Sequence, residues 1–239
     1  MFDHPIVEPF DLNAYQTIGI TVHGAFNGGG FGGEGSTDLI GPYLKDQHIL
    51  HKQLDYGFRM ALGAKWGNQR VSRELVNFLQ SVKTFHPKVI VYGHSNGAAI
   101  MHQASLMPEF PSNMDIYYVY LNPALDVDRA PSNRVKGVDV WYSPYDKVVR
   151  LSDLIDKITG GLIIPKHWGS MGKYGYQGSD QRVHNYDYNE VFYNNVSQCH
   201  ELVFGHSTVF SVPKSMMPLI VAQSIKNLDN VLSKEHRHA

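Results

Sequence analysis

Hydrophobic and polar positions alternate along this chain in two rhythms. Short, nearly unbroken apolar runs at Thr17–Val22 (TIGITV), Lys88–Tyr92 (KVIVY), Asp115–Leu121 (DIYYVYL) and Val138–Tyr142 (VDVWY) predict strands covered on both faces. Ile49–Leu54 predicts another, and Glu201–Phe204 a weaker one. Between them, apolar residues recur at helical spacing. Over Asn68–Phe85 these are Val71, Leu75, Phe78, Leu79 and Val82, and Pro87 stands where a helix should stop. Ser95–Met107, Leu151–Ile158 and Lys214–Leu232 are further predicted helices, with a charged tail beyond that holds His236 and His238 and is expected to fray. Strands alternating with helices predict an α/β fold, a mostly parallel sheet with helices on both faces. In such sheets ligands gather at the carboxyl ends of strands. The residues just after Val22, Tyr92, Leu121, Tyr142 and Phe204 therefore share one rim.

The rhythm fails between about Thr159 and Cys199, where His167–Asn195 is rich in Gly, Tyr, Asn and Asp and shows no period. A stretch this long and aromatic reads as an ordered segment beside a functional site. The expected organisation is one domain over residues 1–239 with a Tyr/Gly-rich flap or insertion at about 160–198. Trp168, Tyr174, Tyr176, Tyr186 and Tyr188 suit two roles equally, lining an acyl or sugar pocket or holding the flap down by burial.

Composition narrows the function. A formal net charge of −1 over 239 residues leaves no electrostatic footprint for nucleic acid or an anionic membrane. Cys199 is the single cysteine, which excludes an internal disulfide and a cysteine-type zinc site. The thirteen histidines show no metal-ligand spacing, so neither metal nor cofactor is expected. Met1–Leu12 lacks a basic segment followed by an apolar one, and no apolar run is long enough to span a bilayer. The expected location is cytoplasmic. Gly28-Gly29-Gly30-Phe31-Gly32-Gly33 matches a dinucleotide-binding pattern, but it starts six residues past Val22 and opens into no helix. It reads better as a Gly-rich rim of a substrate cleft.

The chemistry starts at Gly93-His94-Ser95-Asn96-Gly97, a G-x-S-x-G pentapeptide between a predicted strand and a predicted helix. A sharp strand-to-helix reversal strains the serine, needs small flanking residues and lifts the hydroxyl above the sheet. It also turns the Asn96 N–H toward a developing oxyanion. A serine hydroxyl needs an imidazole to take its proton and a carboxylate to orient that imidazole. Asp146 follows the strand VDVWY on the shared rim, with Asp126 and Asp128 after the preceding strand in reserve. His206, between the last strand-like run and the final helix, is the expected base, ahead of His200, His184 and His167.

With these residues placed, the chain resembles the lipase-like α/β hydrolases, and more closely a little-characterised α/β-hydrolase group of bacteria and their phages. The matching segments are ITVHGAF, LDYGFRMALGAKWGNQR, YGHSNGAAI, LNPALD, WYSPYDKVVRLSDL and HWGSMGKYGYQGSDQR. The resemblance implies Ser95 as nucleophile, Asp146 as acid, His206 as base and oxyanion donors at Ala25 and Asn96. Phe26 is the alternative second donor, and Phe26 and His94 are expected to contact substrate. His23 is expected to order its loop. The implied activity is cleavage of small-molecule or lipid carboxylic esters through an acyl-enzyme. An amidase, peptidase or acyltransferase on the same triad, and a non-catalytic binding module, are the alternatives.

Overall fold

The computed structural model describes residues 16–24, 36–54, 64–85, 87–148, 168–195, 204–211 and 213–238. The strands are β1 (Thr17–Val22), β2 (Leu50–Leu54), β3 (Lys88–His94), β4 (Asp115–Leu121), β5 (Gly137–Tyr142) and β6 (Val183–Asp187). They form one sheet in the order β2-β1-β3-β4-β5-β6, and every pairing is parallel. The helices are α1 (Gly41–Asp46), α2 (Ala64–Val82), α3 (Asn96–Ser105), α4 (Met171–Tyr174), α5 (Tyr188–Asn195), α6 (Thr208–Ser211) and α7 (Pro213–His238).

Strand alternation divides the core in two. On one face Val89, Val91, Ile116, Tyr118, Val138 and Val140 pack with α2 and α3 through Leu75, Leu79, Ile100 and Met101. On the other face Ile90, Tyr92, Tyr117, Val119 and Trp141 pack with α1, α5 and α7 through Leu44, Phe192, Met216 and Ile220. Every central strand is thus buried on both sides, which is why each reads as a continuous apolar run.

The register aligns the carboxyl ends. Val22 lies opposite Gly93, His94 opposite Leu121, and Leu121 opposite Trp141. Gly24, Ser95, Asn122 and Ser143 therefore follow the four central strands along one rim. The chain leaves β1 toward β2 on one side and returns as β3 on the other, so the strand order switches at β1 and β3. Ligand crevices form at such a switch.

Two expectations change. Within the stretch read as a flap, Val183–Asp187 is β6 and pairs with β5, so this part belongs to the sheet. The weak strand expected at Glu201–Phe204 lies outside the described residues except for Phe204, which is in no strand. The tail expected to fray continues α7 through His238, held by Lys136 Nζ on Glu235 Oε2 at 2.6 Å and, earlier in the helix, Lys88 Nζ on Asp229 Oδ1 at 2.7 Å. The predicted helix at 151–158 lies outside the described residues. Among the described residues no helix is long and apolar enough to cross a membrane.

Candidate active site

Ser95 sits between β3 and α3 with φ 53° and ψ −118°, a conformation L-residues avoid unless their surroundings impose it. Its N–H donates to the Leu121 carbonyl at 3.0 Å, and its own carbonyl accepts from the Ala124 N–H at 3.1 Å. The two flanking glycines have steric causes. A Cβ on Gly97 would run into the Val22 carbonyl and lie 2.8 Å from the His23 oxygen. A Cβ on Gly93 would strike Met101 and lie 2.9 Å from the Ala98 nitrogen. The G-x-S-x-G spacing is thus the condition for α3 to press this closely on β1 and β3.

Asp146 and His206, sixty positions apart, meet at this rim. The His206 Nδ1–H donates to Asp146 Oδ2 at 2.7 Å. Asp146 is 1 % exposed, and its carboxylate also accepts from the Asn122 Nδ2 at 3.0 Å and from the Val148 N–H at 3.1 Å. With Nδ1 committed to the carboxylate, the neutral imidazole carries its lone pair on Nε2, the tautomer a general base requires. Asp126 pairs instead with Arg129 at 3.3 Å. His184 lies exposed on β6.

The His206 loop is fastened to the same rim. The Ser143 hydroxyl donates to the Phe204 carbonyl, the Asn189 Oδ1 accepts from the Phe204 N–H at 3.0 Å, and Thr208 Oγ1 accepts from the Gly205 N–H at 2.8 Å. His94, expected from sequence to contact substrate, completes the brace. Its side chain is buried, Nε2–H donates to the His206 carbonyl at 3.0 Å, and its ring packs 4.9 Å from the His206 ring and 4.8 Å from Phe210. Burial, with repulsion from His206 and His23, pushes its pKa down to about 3, so it stays neutral. Because it adjoins Ser95 in sequence, this packing ties the His206 loop to the elbow.

Gly24 closes the site from β1: a Cβ there would lie 3.2 Å from that of Ser95. His23 is buried and donates from Nδ1 to the Gly24 carbonyl at 2.8 Å, an ordering role. Ala25 and Phe26 lie outside the described residues. Asn96 opens α3, and its buried side chain is held by Asn68 and Trp168. Asn68 on α2 exchanges two amide hydrogen bonds with it at 2.8 and 2.9 Å, and the Trp168 indole Nε1–H donates to its Oδ1 at 2.9 Å.

Asn122, Ser143, Asn189 and Asn68 were not singled out by the sequence reading. Only Asn122 offers a signal, an asparagine at a strand's end, where it adopts φ 44°. Of the aromatic residues, Tyr186 stacks on Trp141 at 4.7 Å, while Tyr176 and Tyr188 are buried. These three hold structure together. Tyr174 is exposed. Among the described residues no group of histidine, cysteine and carboxylate side chains is placed to hold a metal.

A parallel sheet flanked by helices, with a strained serine at a strand-to-helix turn on its rim, makes this an α/β-hydrolase fold. Among solved structures the chain is similar to Aspergillus fumigatus lipase B, at 13 % identity over 86 % of this chain and 52 % of the lipase, with a TM-score of 0.53. It is also similar to an esterase from Pyrococcus furiosus, at 13 % identity over 90 % of this chain and 83 % of the esterase, with a TM-score of 0.50. No family model matches the sequence, and neither does any curated protein.

Proposed function

We propose that this protein is a serine hydrolase that cleaves carboxylic esters of small molecules or lipids. One observation carries the reading: a buried Asp146 carboxylate holds His206 by Nδ1, and His206 packs on His94, the residue before a serine in the strained elbow conformation. In the proposed cycle His206 Nε2 takes the Ser95 proton as Oγ bonds to the ester carbonyl carbon. The oxyanion is met by the Asn96 N–H and by that of Ala25 or Phe26, each such donor lowering the barrier by about 3–4 kcal/mol. The tetrahedral intermediate then collapses. Its carbon–alkoxy bond breaks, and the alcohol leaves with the proton from His206. Water repeats the sequence on the acyl-serine and releases the acid. Esters are the class named for the two structural neighbours, and an alkoxide departs more readily than an amide anion.

Hydrolysis of a short-chain p-nitrophenyl ester tests this. Ser95→Ala should lower kcat by more than about a thousandfold with the fold intact. Turnover retained in the alanine variant would remove the nucleophile from the mechanism.

A further inference from the structure

Next in sequence to the proposed nucleophile, the Asn96 side chain is held by hydrogen bonds from two other segments. Its Oδ1 accepts twice, from Asn68 Nδ2 at 2.8 Å and from Trp168 Nε1 at 2.9 Å, while its Nδ2 donates to Asn68 Oδ1 at 2.9 Å. Asn68 and Asn96 are both buried. The three residues come from α2, from the first turn of α3 and from the segment just before α4. An amide pair of this kind has one geometry: the two groups must meet edge to edge, close to one plane, for both bonds to form. It therefore fixes the position of residue 96, not only its burial.

We propose that Asn68 and Trp168 are positioning residues that aim the Asn96 backbone N–H at the oxyanion. This rests on the reading of Ser95 as nucleophile. Ser95 holds φ 53°, a conformation that relaxes unless the residues on either side are restrained. Behind it, β3 is restrained by the sheet. Ahead of it, Gly97 restrains α3 by close contact with Val22, and the Ser95 carbonyl is held by the Ala124 N–H. The amide pair and the indole add a directional restraint on residue 96 itself. An oxyanion donor works only when it already points where charge develops, so a small rotation of residue 96 costs rate and leaves substrate binding alone. Trp168 adds a second consequence, because it makes the segment leading into α4 a support of the elbow.

The test uses Asn68→Ala, Asn68→Asp and Trp168→Phe in the full chain, with a p-nitrophenyl ester as substrate and an alkylboronic acid as tetrahedral mimic. Trp168→Phe removes the indole donor and keeps a smaller aromatic ring. The expected result is a kcat loss of about tenfold to a hundredfold in Asn68→Ala and a smaller loss in Trp168→Phe. KM should stay within about twofold, and boronate affinity should fall in parallel with kcat. The acid limb of the pH profile should not move in these two variants, since His206 and Asp146 are untouched. Asn68→Asp should regain activity relative to the parent as pH falls, because a protonated carboxyl restores the donor and acceptor of the amide. If Asn68→Ala does not fold, Asn68→Asp and Trp168→Phe decide. Unchanged kcat in the folded variants, or a loss carried by KM, overturns the inference and leaves the hydrolase reading standing. A parent without turnover and without boronate binding overturns both.

Discussion

Single residues at this rim owe their roles to backbone geometry as much as to side-chain chemistry. Ser95 was legible in sequence because its strained turn forces glycine on both sides. Asp146 and His206 were legible from their places after strand-like segments, and the structure joins them at 2.7 Å. Asn122 was not, because its use depends on φ 44° and on the register that sets the end of β4 beside the loop after β5. Its Nδ2 donates to the buried Asp146 carboxylate, as does the Val148 N–H. Asn122→Gly keeps the positive φ and deletes that donor. A hydrogen bond to a charged group is worth about 1.5–3 kcal/mol of stability, so the thermal midpoint should fall by several degrees, and kcat/KM of the folded variant should fall by about tenfold as the carboxylate loses its orientation. A value within twofold of the parent would show that the carboxylate needs no such support.

At the scale of elements, β6 and α7 show what pattern reading loses and what burial adds. The sequence VHNYD of β6 exposes His184 and Asn185, as an edge strand does, so it carries no apolar run to find. Central strands, buried twice, were found almost to the residue. Helix α7 covers a buried polar group that no pattern announces. Asp139 on β5 accepts at Oδ1 from Tyr117 and from Asn227 of α7, each at 2.8 Å, and burial raises its pKa to about 7 despite those two bonds. The folded state thus holds this proton more tightly than the unfolded chain. Its stabilising contribution is complete below the ordinary carboxylate value of 3.8 and is lost as pH rises through about 7. At about 1.4 kcal/mol per pKa unit, the loss amounts to a few kcal/mol. Asp139→Asn should therefore flatten the fall in urea midpoint between about pH 5 and pH 8. A parallel fall in parent and variant would assign the pH dependence elsewhere.

Across the whole molecule, the α/β architecture and the shared rim followed from alternation alone, because a parallel sheet covered on both faces leaves that signature. The bracing of the rim did not. Asn68, Trp168, Ser143 and Asn189 act through contacts between segments distant in sequence, and a polar residue on a helix or loop carries no mark of its partner. The two oxyanion candidates Ala25 and Phe26 lie outside the described residues, so the claim that unites the molecule is the convergence of Ser95, His206 and Asp146. Intact-mass and peptide mapping after exposure to a fluorophosphonate measure it directly, since only a serine activated by its imidazole reacts with the reagent. One adduct should form, on the peptide that holds Ser95, absent in Ser95→Ala and strongly slowed in His206→Asn. No adduct on the folded parent, or equal labelling of parent and Ser95→Ala, would contradict the triad.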